Sequence, residues 1–205
     1  MEKQEQNSIC REIGARTGGD IYIGVVGPVR SGKSTFIKRF MEQLVLPAMS
    51  GSAAARERAR DELPQSAAGR TIMTTEPKFI PETAVPLQLE GGGACRVRLI
   101  DCVGYMVEGA MGHEEDAKPR MVKSPWFEQE VPFDLAAETG TRKVICEHST
   151  IGVVVTTDGT VTDIPREDYL DAEERVIREL QAIGKPFIVL LNSAQPESQR
   201  AAAIA

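Results

Sequence analysis

The sequence is poor in the residues that staple or mark small folds. Its four cysteines (Cys10, Cys95, Cys102 and Cys146) form no CxxC pair, and only two histidines, His113 and His148, accompany them. Structural zinc calls for tightly spaced ligands, so the cysteines read as reduced thiols, buried or partly exposed, in a cytoplasmic protein. Long apolar runs are missing too. Stretches such as Phe187 to Leu191 fall far short of the ~20 residues that a membrane span needs. The first residues, MEKQEQNSICREIG, lack the apolar core of a secretory signal, so no export is expected. Basic residues are in the minority, 24 against 30 acidic, for a net charge of −6 with histidine neutral. That balance disfavours sequence-independent binding to nucleic acid, which depends on clustered Lys and Arg.

What remains is an ordinary globular composition, 41% apolar and 26% charged over 205 residues. A chain of this size buries about 70% of its unfolded surface and needs no covalent staple. Residues 1–19 read as a polar arm in which Ile9, Cys10 and Ile13 mark one short helix, closed by Gly18 and Gly19. Residues 20–205 read as a single α/β domain. Within it, Ile21 to Val26 is a β-branched run expected to be a buried parallel strand. Phe36, Ile37, Phe40, Met41, Leu44 and Val45 then recur at helical spacing up to Pro47. Residues 50–63 predict a solvated helix ended by Pro64, and Gln65 to Pro77 a polar loop rich in Thr and Ser. Phe79 to Leu89, with Pro77, Pro81 and Pro86 in and beside it, reads as an edge strand. It is joined through Gly91-Gly92-Gly93 to a strand over Val97 to Ile100, an antiparallel hairpin added to a parallel sheet.

Gly104 to about Glu138 is expected to be long and irregular, with five charges between Glu114 and Arg120. After it come a strand (Ile151 to Thr156), an amphipathic helix (Arg166 to Ile183, closed by Gly184), a strand (Phe187 to Leu191) and an Ala-rich tail. Strands alternating with helices imply a mainly parallel sheet with helices on both faces. The last strand has no predicted helix after it, which is the expectation for the front part of a longer protein.

Gly27-Pro28-Val29-Arg30-Ser31-Gly32-Lys33-Ser34 matches GxxxxGK[ST], directly after a predicted strand and opening a predicted helix. Gly27 and Gly32 let the backbone bend around an anion, so that successive N–H groups and the helix N-terminus face it. Lys33 reaches β- and γ-phosphates, Ser34 is suited to magnesium, and Thr35 follows in the first turn. Asp101, ending a strand in the run Asp101-Cys102-Val103-Gly104, is the carboxylate that holds the metal side. Gly104 places a backbone N–H where a γ-phosphate would sit. Between the two motifs, Thr74 and Thr75 are the favoured metal-side threonines, with Thr71 third. The alternative for all three is a set of loop hydroxyls or strand-starting residues.

The runs EIGARTGGDIYIGVVGPVRSGKSTFIKRFME, DELPQSAAGRTIMTTEPKFIP, LIDCVGY, EHSTIGVVVTTDGT and GKPFIVLLNS together resemble the stage IV sporulation protein A family of endospore-forming Firmicutes, from about Glu12 to Ser193. The resemblance implies a P-loop NTPase of the translation-factor-related (TRAFAC GTPase-like) type that binds and hydrolyses ATP with Mg2+. It also implies that hydrolysis drives self-assembly into the basal layer of the spore coat. Implied partners are further copies of the chain, spore coat proteins and a small amphipathic membrane-anchoring protein. The implied location is the mother-cell cytoplasm at the forespore surface, with membrane contact only indirect or through regions that family members carry beyond this segment.

A guanine-specific relative would end its strand in Asn-Lys-x-Asp, the Asp accepting hydrogen bonds from guanine. Here Asn192 remains as a nucleotide-side residue, but Ser193 and Gln195 replace the Lys and Asp, so adenine or relaxed preference is expected. Tyr105 stands where a water-orienting glutamine would follow Gly104, which predicts slow hydrolysis. Arg30 occupies the loop position at which potassium-activated relatives carry a cation-holding asparagine. It is either a built-in arginine finger or a solvent-facing arginine gripping a surface acid. Trp126 and Phe127 are either apolar handles for a polymer contact or residues packed onto the domain. Rival readings are a GTPase switch acting on RNA or ribosomes, a small-molecule phosphotransferase using Arg56, Arg58 and Arg60 as lid arginines, and a scaffold without turnover.

Overall fold

A computed structural model describes residues 19–49, 53–64, 75–88, 94–110, 112, 114–115 and 118–205. The expected arm helix around Ile9 and Ile13, and the loop threonines Thr71 and Thr74, lie outside the described residues.

A five-stranded sheet organises the chain: β1 (Asp20–Val26), β2 (Lys78–Gln88), β3 (Ala94–Asp101), β4 (Ile151–Thr157) and β5 (Phe187–Asn192). Its spatial order is β2-β3-β1-β4-β5. β1 pairs in parallel with both β3 and β4, and β4 with β5, whereas β2 runs antiparallel to β3 with a register break between Ile80 and Val85. The proline-bearing strand is therefore at the edge, where a missing N–H is tolerated.

Helices cover both faces. On one face lies α1 (Lys33–Phe40), which continues through a wider turn, Met41–Val45, to Leu46–Ala48, with α2 (Ala53–Asp61) beside it. On α1, Lys33, Ile37, Met41 and Val45 form one stripe at a spacing of four, and all four are buried. The three apolar members pack on Val25, Leu99 and Val155 of the sheet, each contributing roughly 1.5–3 kcal/mol. Because Lys33 shares their stripe, the same packing that fastens the helix carries the lysine inside.

On the other face lie α3 (Phe133–Lys143), prolonged by Val144–His148, and α4 (Leu170–Ala182), entered through a tighter turn at Arg166–Tyr169. Tyr169, Val176 and Leu180 pack there with Val144, Ile145 and Val154. The stretch expected to be irregular up to Glu138 is thus helical from Phe133. Ahead of that helix are two short ladders, Glu114–Glu115 with Lys118–Pro119 and Met121–Val122 with Val131–Pro132. The Ala-rich tail is also corrected, since α5 (Gln199–Ile204) follows β5 and is capped by Ser198, whose hydroxyl accepts from the Ala201 N–H. β5 keeps Ile188 and Val189 64% and 48% exposed, so neither face of this edge strand is fully covered. Among the described residues no helix is long and apolar enough to cross a membrane.

Lys185, just before β5, closes the end of the α3 extension. Its ammonium donates to Ile145 O, to Ser149 O at 2.5 Å and to Ser149 Oγ at 3.2 Å. Burial holds its pKa below the usual lysine value. Lys185→Met leaves these carbonyls without their donor and is expected to lower stability by about 2 kcal/mol in urea unfolding. An unchanged midpoint would mean that the cap contributes nothing.

Candidate functional site

The loop between β1 and α1 turns at the C-terminal edge of the sheet, beside the end of β3. The parallel register sets Val25 opposite Asp101, so the carboxylate emerges next to the first turn of α1. Ser34 Oγ donates to Asp101 Oδ2 at 3.0 Å. Lys33 curls back over the loop and its Nζ donates to Pro28 O at 2.5 Å. Desolvation pulls the Lys33 pKa below the ordinary lysine value, against the opposing pull of Cys102 and Asp101. Burial also raises Asp101 above the usual carboxylate range, opposed by Lys33 and by the Ser34 hydroxyl. Cys102 is pushed up to about 11 by burial. Its thiol therefore stays neutral, lying 3.5 Å from Val25 O.

α1 starts at Gly32, whose φ of 102° is a left-handed value, with no side-chain cap and no acid in the first turn. Its leading N–H groups thus keep their partial positive charge undiluted. Arg30 holds φ 60°, an uncommon conformation for a residue with a Cβ; burial raises the pKa of Tyr169, opposed by the Thr162 hydroxyl and by the charge of Arg30. Ser31 is fully buried and its Oγ has no hydrogen-bond partner; the same is true of Asp101 Oδ1. Buried polar atoms normally find partners. Two orphaned oxygens at a helix N-terminus beside a buried lysine fit a ligand that brings both anionic oxygens and a cation. The oxygen donors of Ser34 and Asp101 suit magnesium.

The residues expected to line the loop divide by geometry. Pro28 has no N–H, and Val29 N donates to Tyr105 O at 2.8 Å, so these two frame the cradle without facing it. Tyr105 N donates in turn to Gly27 O at 3.3 Å. The segment after Asp101 is thereby stitched to the loop as a parallel bridge between Pro28 and Tyr105. Thr35 is exposed in the first turn. Thr75 is buried, with its carbonyl oxygen 2.6 Å from the point that a Cβ on Gly140 would occupy. Gly104 lies against the loop, and its N–H donates to Thr141 Oγ1 at 3.1 Å.

Asn192 acts on the loop from behind. Its Nδ2 donates to Ser31 O at 3.1 Å, holding the loop from the end of β5. Ser193, standing where a guanine-specific protein has lysine, donates to Asp158 Oδ2 at 2.6 Å. Asp158 also accepts from Thr160 N at 3.0 Å and Thr160 Oγ1 at 2.5 Å. Hydrogen bonds from Ser193 and Thr160 outweigh the burial of Asp158 and keep its carboxyl below the usual range. The loops after β4 and β5 are thus clamped together, a connection that no spacing in the sequence announced.

The phenol of Tyr105 is turned to the opposite helix layer. Its hydroxyl donates to Glu179 Oε2 at 2.5 Å, and the Arg175 guanidinium lies 4.1 Å from the ring centre. Arg175 pairs with Glu138 of α3 as well as Glu179. Burial and Glu179 raise the phenol pKa, so it stays a neutral donor. Trp126 is half-buried, with its ring edge 2.9 Å from the Cβ point of Gly140; of its two expected roles, packing onto the domain is the one observed.

A family model described as the stage IV sporulation protein A ATPase domain matches residues 4–205. Among curated relatives, stage IV sporulation protein A of Bacillus anthracis is 60% identical over 192 residues. The proteins of that name from Bacillus subtilis (strain 168) and Clostridioides difficile (strain 630) are 62% and 55% identical over 192 and 193 residues. In each case the match covers 94% of this chain and 39% of the relative.

Proposed function

The chain belongs to the stage IV sporulation protein A ATPase-domain family, and from that premise we propose that residues 27–34 grip the triphosphate tail of ATP and promote its hydrolysis. The observation that carries the reading is the hydrogen-bonded pair Ser34 and Asp101 beside the buried Lys33 at the start of α1, with two buried oxygens, Ser31 Oγ and Asp101 Oδ1, left unpartnered there.

In this mechanism the N–H groups of the loop and Lys33 bind the phosphoryl oxygens and stabilise charge as water attacks in line. With three N–H donors, Lys33 can do so while keeping Pro28 O. Ser34 and Asp101 would hold magnesium, which would supply positive charge to offset that of the phosphoryl oxygens. Gly104 offers its N–H to the γ-phosphoryl group, and Asn192 keeps the loop in shape by gripping Ser31 O. Thr74 and Thr75 are the metal-side threonines, with Thr71 third. Arg30 is the candidate arginine finger. With Tyr105 committed to Glu179, no side chain at that position aims the water, and turnover is slow.

The antiparallel β2, leading in from the threonine segment, and β3 directly beside β1 support the translation-factor-related subtype. The polar arm over 1–19 and the ATPase domain over 20–205 are its two parts. By this reading hydrolysis drives self-association into the basal layer of the spore coat, in the mother-cell cytoplasm at the forespore surface. Coat proteins and a small amphipathic membrane-anchoring protein are its partners there.

The discriminating experiment is displacement of a fluorescent ATP analogue in the presence of Mg2+. ATP is expected to displace it at least about tenfold more effectively than GTP, because Gln195 stands at the position where a guanine-specific protein has its accepting carboxylate. Equal displacement by GTP would favour the GTPase-switch reading, and no binding of either nucleotide would remove the reading altogether.

A further inference from the structure

We infer that Thr141, a residue of α3 assigned no role by the motifs, sets the preference of the site for triphosphate over diphosphate by competing for the Gly104 N–H. The inference rests on the reading that Gly104 donates to the γ-phosphoryl group.

Gly104 N–H cannot serve two acceptors on opposite sides. It donates to Thr141 Oγ1 at 3.1 Å, in a buried contact. The hydroxyl is oriented for the task, since its own proton goes to Ala137 O one turn back, at 2.8 Å. That leaves its lone pairs aimed at Gly104. Thr141 is fully buried, so water does not compete for the amide. At φ 97°, with its Cβ point 2.6 Å from Lys33 Nζ, Gly104 lies against the lysine that the triphosphate must recruit. Triphosphate binding therefore exchanges one acceptor for another. Diphosphate binding leaves the amide on Thr141.

The preceding residue, Gly140, touches the second nucleotide-side segment. A Cβ there would lie 2.6 Å from Thr75 O. One helical step, Gly140-Thr141, thus abuts both the threonine segment and the segment after Asp101. This position lets Thr141 read whether the Gly104 amide has been drawn toward the phosphate.

Thr141→Val removes the acceptor at nearly constant shape. The amide then keeps only the neighbouring Cys102 sulfur, a weak acceptor, in both the free and the diphosphate states, and is well satisfied only by a γ-phosphoryl group. Affinity for a non-hydrolysable Mg-ATP analogue is expected to rise about fivefold, the effect of one poorly paired buried N–H, while affinity for Mg-ADP stays within about twofold. Thr141→Ser keeps the acceptor and is expected to keep the wild-type ratio. Calorimetry on the three proteins reads both affinities. An unchanged ratio in Thr141→Val would overturn the inference. Failure of wild type to bind the analogue would instead overturn the reading beneath it. Should the valine variant not fold, amide hydrogen exchange on the wild type decides. Gly104 N–H is expected to be protected without nucleotide, and exchange at the rate of an exposed amide would overturn the proposal.

Discussion

Lys33→Ala is expected to reduce phosphate release from Mg-ATP by at least about a hundredfold, the scale reported for removing one preorganised charge-stabilising donor. The fold should persist, because Ile37, Met41 and Val45 continue the stripe that fastens α1. Lys33 is the member of that stripe whose polar end reaches the loop. Its ammonium rests on a single carbonyl, Pro28 O, and is desolvated enough to be held below the ordinary lysine pKa. A poorly satisfied cation next to an anion site has much to gain from phosphoryl oxygens, and that gain disappears with the side chain. Circular dichroism establishes that the variant is folded and a colorimetric phosphate assay reads turnover. Turnover close to wild type would remove Lys33 from the chemistry.

Gly104→Ala is expected to be equally damaging by a different route. At φ 97° a side chain is already strained, and a Cβ would lie 2.2 Å from Gly27 O and 2.6 Å from Lys33 Nζ. The first neighbour is backbone and cannot swing aside. The segment must move away from the loop, breaking the paired contacts of Tyr105 with Gly27 and Val29. Displacements near 1 Å at a reacting centre cost about a hundredfold in rate. Gly184→Ala is the control. It also has a left-handed φ, of 64°, but nothing within 4 Å of its Cβ point. It should show a modest loss of melting temperature and unchanged turnover. If Gly104→Ala hydrolysed ATP as well as this control does, the packing of that segment on the loop would be irrelevant to catalysis.

The sequence made the sheet legible because its strands are β-branched runs closed by glycine or proline, and because prolines marked the edge strand. It made Lys33, Ser34 and Asp101 legible because their spacing has a chemical reason. α3 stayed hidden within an expected irregular stretch, since its buried face is Ala136, Ala137, Gly140 and Thr141 behind Phe133. Small residues pack closely but give weak hydrophobic periodicity. Thr141 was invisible for the same reason. The closing helix had a readable sign, Ser198 as N-cap, overshadowed by an alanine run that carries no amphipathic pattern. Asn192 stands among the expected nucleotide contacts by its position after β5; what the sequence does not show is that its amide also grips the main chain at Ser31. Which backbone atom an amide side chain meets depends on how two loops stack in space, and chain order does not encode that.

The turned-away phenol of Tyr105 has a further consequence. On the proposed function, with the Tyr105 hydroxyl held by Glu179 and so not aiming water from that position, the molecule resets slowly and a loaded copy outlives many collisions with its neighbours. Such a molecule is less an engine than a record that loading has occurred.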